Sequence, residues 1–120
     1  MANTGEPFER VDVQRAKQLI DEGVSVIDVR NPDELPKDGA IAAQTKLVPL
    51  NTFLMNPRPH LEGDRVLLMC KVGQRSAIAA EMAAAVAQAD GRKLSAYNME
   101  GGIEAWKKAG LPVEFPQKPS

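Results

Sequence analysis

Three short apolar runs alternate along this chain with segments of helical periodicity, and that alternation restricts it to an α/β architecture built on a mostly parallel sheet. Residues 24–29 (Val-Ser-Val-Ile-Asp-Val) are rich in β-branched side chains, residues 65–70 (Arg-Val-Leu-Leu-Met-Cys) are almost continuously apolar, and residues 94–99 (Leu-Ser-Ala-Tyr-Asn-Met) form a third run. Short apolar runs of this kind read as strands buried on both faces. Residues 65–70 are expected at the centre of the sheet. Residues 8–11 and 46–50 read as brief further strands, giving about five.

Helices fill the intervals. Asp12 is a natural N-cap for a helix running to about Glu22 and closed by Gly23, with Val13, Ala16, Leu19 and Ile20 on one face. Residues 75–89 are alanine-rich, and Ile78, Met82, Ala85 and Ala89 are expected on the buried face. A short helical turn is expected near 53–55, whereas 33–44, interrupted by Pro36 and Gly39, reads as irregular. After the Gly101-Gly102 turn, residues 103–109 form a last helix, capped by Gly110 and followed by Pro112. Helices packed on both faces of one sheet make three layers, and ligand sites in such folds lie at the carboxyl ends of strands. Cys70 and the Gly101-Gly102 turn both fall there.

A length of 120 residues suits one domain. We assign it to 8–113, with 1–7 a short N-terminal extension and 114–120 a flexible C-terminal tail. With 15 basic and 16 acidic residues the net charge is -1, so no global field draws in nucleic acid or an anionic membrane. No apolar run approaches the ~18 residues that cross a bilayer, and the first residues lack a charged-then-apolar leader pattern. A cytoplasmic location is therefore expected. One cysteine and one histidine exclude an internal disulfide and a four-ligand zinc site, so no metal or other cofactor is implied and the thiol stays free.

Free cysteine often acts simply as a small buried hydrophobe. Cys70, however, ends a buried strand and is followed by Lys71, Val72, Gly73, Gln74, Arg75 and Ser76, then a helix. A loop there curls around the sulfur, and its amides and the positive end of the helix favour an anion at that point. Lys71 and Arg75 add nearby cations, and such surroundings turn a thiol into a nucleophilic thiolate. Asp28 and Arg30 read as a structural pair, since an Asp at a strand end often bonds loop amides. Gly101 and Gly102 read as a turn needing positive φ or close backbone approach. Trp106 reads as packing, and His60 as an exposed loop residue without partners.

The segment Cys70-Lys71-Val72-Gly73-Gln74-Arg75-Ser76 resembles the active-site loop of the rhodanese family, which has the form Cys-x-x-Gly-x-Arg-Ser. Further matches lie at Asp28-Val29-Arg30, at Asn98-Met99-Glu100-Gly101-Gly102-Ile103-Glu104-Ala105-Trp106, and at Ala109-Gly110-Leu111-Pro112-Val113, in the family's order. The resemblance implies a three-layer rhodanese-like domain in which Cys70, as nucleophile and carrier, takes a sulfane sulfur from a donor such as thiosulfate. It passes the sulfur to cyanide, a thiol or a partner protein. The amides of 71–76 would cradle the persulfide, Arg75 would orient the loop or bind an anionic donor, and Asp28, Arg30, Gly101 and Gly102 would support it. One departure is Ala40, which stands where the family usually has a histidine. Cysteine phosphatases place one residue more between Cys and Arg than the four found here, so this loop makes a tighter cradle suited to a single sulfur. Two alternatives stand beside the small-donor enzyme: a protein-to-protein sulfur relay, and a non-catalytic binding domain, against which the presence of Cys70 speaks.

Overall fold

A computed structural model describes residues 6–42 and 44–115. Five strands, β1 (Glu9–Val11), β2 (Ser25–Asp28), β3 (Thr45–Leu47), β4 (Arg65–Met69) and β5 (Ser95–Met99), form one sheet in the order β1-β5-β4-β2-β3. Every ladder is parallel, and β4 is central as its apolar sequence requires.

Alternation along the strands sorts their side chains into two cores. Ile27, Val66, Leu68, Cys70 and Ala96 join the core that contains Phe53 of α3 (Leu50–Met55) and Ala79, Ala80 and Ala83 of α4 (Gln74–Ala89). Val26, Leu67, Met69, Tyr97 and Met99 join the other, with Ala16 and Leu19 of α1 (Val13–Asp21) and Ile103 and Trp106 of α5 (Gly102–Lys108). This is the expected three-layer arrangement, and it aims Cys70 at the face that α4 covers. Trp106 is fully buried, with Nε1 donating to the Pro112 carbonyl at 2.7 Å.

Asp12 caps α1 as expected, its carboxylate accepting from the Arg15 amide at 2.8 Å. Elsewhere the structure corrects the sequence reading. In α4 the buried residues are Ser76, Ala79, Ala80, Ala83, Ala84 and Ala87, whereas Ile78 is 49% exposed and Ala85 and Ala89 face outward. The helix lies so close to the sheet that only small side chains fit beneath it, and Met82 is left at the margin. Residues 33–44 are not wholly irregular: a 3-10 turn at Pro32–Glu34 leads into α2 (Leu35–Asp38). Pro36 is tolerated because a proline in the first turn of a helix sacrifices no intrahelical hydrogen bond. Glu114 is not part of a loose tail, because its amide and carbonyl exchange hydrogen bonds with those of Ala40 at 2.7 and 2.6 Å. The rest of the tail from 116 onward, and residues 1–5, lie outside the described residues. His60 is half-buried rather than exposed, its ring 6.2 Å from that of Phe53.

Candidate functional site at the carboxyl edge of the sheet

Cys70 is the first residue beyond β4 and is completely buried. The loop after it doubles back so tightly that three donors converge on Sγ. These are the amide of Gly73 at 3.1 Å, the amide of Ser76 at 3.4 Å and the Ser76 hydroxyl at 3.3 Å. The amides of Gln74, Arg75 and Ser76 open α4, where no intrahelical acceptor lies within reach. Of these the Ser76 amide reaches Sγ, and the free amides of a helix start favour an anion at that end.

Two glycines make the loop possible. Gly73 has φ +98°, and a Cβ there would come 3.1 Å from the Gly101 nitrogen and 3.4 Å from the Met99 carbonyl oxygen. Gly102 has φ +62°, and a Cβ there would lie 2.2 Å from the Lys71 carbonyl oxygen, closer than any real contact. The Gly101-Gly102 turn thus needs both a positive φ and close approach. Across that contact the first turn of α5 donates to the cysteine loop, Ile103 N to Cys70 O at 3.0 Å and Glu104 N to Lys71 O at 3.2 Å.

Each of the two cations has a carboxylate partner that the sequence did not mark. Arg75 forks onto Glu34, with Nη1 2.8 Å from Oε2 and Nη2 3.0 Å from Oε1. The hydrogen bond from Arg75 is the main reason the Glu34 carboxyl is pulled down to about 2, and the Asn31 amide, 2.9 Å from Oε2, adds to it. In return the Glu34 carboxylate pushes the Arg75 guanidinium further up. Lys71 is exposed, with Nζ 3.9 Å from Glu104. Neither cation is therefore an unpaired charge above the sulfur.

Asp28 and Arg30 form a fully buried pair at the end of β2, with Nε 2.9 Å from Oδ1 and Nη2 2.6 Å from Oδ2. The Asp28 carboxylate also accepts from the Arg30 amide at 3.0 Å, and Nη2 donates to the Gly39 carbonyl at 2.7 Å. The pair thus ties the strand end to the segment after α2. The exposed residues Lys71, Val72 and Gln74 form the outer surface of the cysteine loop. Among the described residues no cluster of three or more His, Cys, Asp and Glu side chains could hold a metal ion. No helix there is long and apolar enough to cross a membrane.

The site also contains residues that the sequence reading did not assign to it. Glu34 is one; beside Asp33, its only sequence signal is the Asn31-Pro32-Asp33-Glu34 spacing of a capping box, which marks a helix start and not the partner Arg75. Asn98 is another, fully buried, with Nδ2 3.1 Å from the Gly73 carbonyl oxygen. Its signal was a buried amide near the end of an otherwise apolar strand.

Comparison with known proteins agrees with this arrangement. The model of the rhodanese-like domain matches residues 12–109. Rhodanese-like domain-containing protein 17 of Arabidopsis thaliana is 29% identical, the alignment spanning 90% of this chain and 74% of that protein. The crystal structure of a rhodanese-related protein from Thermoplasma volcanium superposes with a TM-score of 0.72 at 25% identity, covering 88% of this chain and 97% of the other. The polysulfide-sulfur transferase homodimer of Wolinella succinogenes gives a TM-score of 0.69 at 28% identity, over 89% of this chain and 78% of the other. One of these relatives thus bears the name of a sulfur transferase. With a match spanning most of its length, and a cysteine loop at the carboxyl edge of a parallel five-stranded sheet, the chain belongs to the rhodanese-like domain family.

Proposed function

We propose that the protein is a sulfurtransferase that carries a sulfane sulfur as a persulfide on Cys70. The observation that carries this reading is the convergence of the Gly73 amide, the Ser76 amide and the Ser76 hydroxyl on Sγ. With thiosulfate, the Cys70 thiolate attacks the sulfane sulfur and a new S–S bond forms. The old bond to the sulfonate breaks, and its electron pair leaves on sulfite. The terminal sulfur then carries the negative charge, within reach of the outward-pointing amides of the first turn of α4. An acceptor such as cyanide attacks that sulfur, leaves as thiocyanate and returns the thiolate. As the only cysteine of the chain, Cys70 has no resolving partner within it, so an outside nucleophile must discharge the persulfide.

A relay in which the donor or acceptor is a protein or thiol is favoured by one specific observation. Arg75 is engaged by Glu34 and Lys71 lies near Glu104, which leaves little net positive charge to draw in a dianion such as thiosulfate. Intact-mass spectrometry of the non-reduced protein tests both readings. One sulfur gained from thiosulfate and lost to cyanide, with Cys70→Ser gaining none, is the result for the small-donor enzyme. Gain only from a persulfide or polysulfide donor assigns the relay. No gain from any of these donors would leave the binding-domain reading in its place.

A further inference from the structure

We infer that Asn98 is the positioning residue that sets the shape of the persulfide cradle, acting through the backbone of Gly73. The inference rests on the sulfurtransferase reading above. Strand alternation places Asn98 on the same face of the sheet as Ala96, beside Leu68, two residues before Cys70 on β4. There its Nδ2 donates to the Gly73 carbonyl at 3.1 Å, while the Gly73 amide donates to Sγ at 3.1 Å.

The Gly73 carbonyl and the Gln74 amide belong to one trans peptide plane and point in opposite directions. Held by Asn98 together with the more distant Ala77 amide, the carbonyl turns the Gln74 amide away from β5 and out of the start of α4. In the resting site that amide has no hydrogen-bond acceptor among the described residues. It becomes useful when a second sulfur is added beyond Sγ.

A carboxylate keeps the Asn98 amide in this orientation. Nδ2 also donates to Glu100 Oε2, and Arg10 Nη1 holds that same oxygen at 3.0 Å. A flipped amide would turn its oxygen toward two acceptors and gain nothing. Asn98 Oδ1 is buried without a hydrogen-bond partner among the described residues. Such an orphan is uncommon in a folded protein, and its retention fits a side chain placed for what its other end does.

The test compares wild type with Asn98→Leu, which keeps a similar volume and removes the donor. The Gly73 carbonyl retains the Ala77 amide at 3.3 Å, so the loop is left with no new orphan. The quantity measured is the loaded fraction at fixed ratios of thiosulfate to sulfite, or of polysulfide if only that loads wild type, read by intact mass beside the thermal midpoint. A merely structural residue moves the midpoint and leaves the loading equilibrium of the folded protein alone. We expect Asn98→Leu to need a roughly fivefold higher donor ratio for half-loading, the equivalent of one ordinary hydrogen bond. An unchanged loading ratio in the folded variant overturns the inference and spares the sulfurtransferase reading. Absence of loading in wild type from either donor overturns both. If Asn98→Leu does not fold, Glu100→Ala frees the same amide from a partly exposed position and is expected to shift the ratio about twofold the same way; an unchanged ratio there overturns the inference as well.

Discussion

Arg75 and Glu34, 41 residues apart, face each other fork to fork, and the contact closes the cysteine loop against the turn that follows β2. Bidentate pairing of this kind is the geometry that Arg offers and Lys does not. The side chains are 32% and 20% exposed, so the coupling is that of a partly solvated pair, about 1 kcal/mol. A double-mutant cycle of Arg75→Ala and Glu34→Gln, measured by urea unfolding, should return a coupling of that size. Additive costs within error would mean the fork holds nothing in solution.

The same pair makes a pH prediction. Glu34 titrates at about 2 in the folded protein against 4.5 ordinarily, so its carboxylate favours the folded state. For a carboxyl whose pKa is depressed on folding, that stabilisation is complete above the ordinary value and disappears as pH falls through the folded one. The thermal-midpoint gap between wild type and Glu34→Gln should therefore stay constant from neutral pH down to about 5 and close between there and about 2. Other carboxylates titrate in both proteins, so the gap isolates Glu34. A gap that survives at the acid end would show that the substitution acts by some route other than charge.

The parallel sheet, its central strand and the cysteine loop were legible because they rest on local patterns: short apolar runs, caps and a motif of fixed spacing. The buried face of α4 was not. Periodicity favoured the larger Ile78 and Met82, but the distance between helix and sheet selects the alanines, and only the packed fold sets that distance. Glu34 and Asn98 were missed for a related reason. Each acts through one long-range contact, to Arg75 and to the Gly73 carbonyl, and a single sequence does not mark the partner. Ile78→Lys should accordingly change stability by less than about 0.5 kcal/mol, whereas Ala83→Leu should cost about 1 to 3 kcal/mol by overpacking. Urea unfolding checks the contrast, and equal costs would contradict the assigned face.

Gly102 is where the cysteine loop and α5 touch backbone to backbone. An alanine there would bring Cβ to 2.2 Å from the Lys71 carbonyl oxygen and 2.6 Å from that of Cys70, at a φ of +62°. Neither neighbour is a flexible side chain that can move aside, so the loop itself must shift. The bonds from Ile103 and Glu104 to those two carbonyls would then stretch. Gly102→Ala should lose about 3 kcal/mol or more of stability, with sulfur loading falling in whatever fraction stays folded. Near-native stability by urea unfolding would contradict the close approach.

The Asp28–Arg30 pair should be the most sensitive polar element of the domain, because neither side chain has water to fall back on. A buried charge that loses its partner keeps its desolvation cost and forfeits the attraction that offset it. Asp28→Ala leaves the guanidinium with the Gly39 carbonyl as its one remaining acceptor among the described residues, and Nη1 already has none. The expected loss is about 3 to 5 kcal/mol. Arg30→Met strands the carboxylate less completely, since the backbone amide of residue 30 still donates to it, so it should cost less than Asp28→Ala. Asp28→Asn combined with Arg30→Met removes both charges and should cost less than the sum of its single changes. Chemical unfolding of all four variants decides the matter: a cost for Asp28→Ala below about 1 kcal/mol would mean that the pair is solvated in practice, and strict additivity would mean that the charges do not depend on each other.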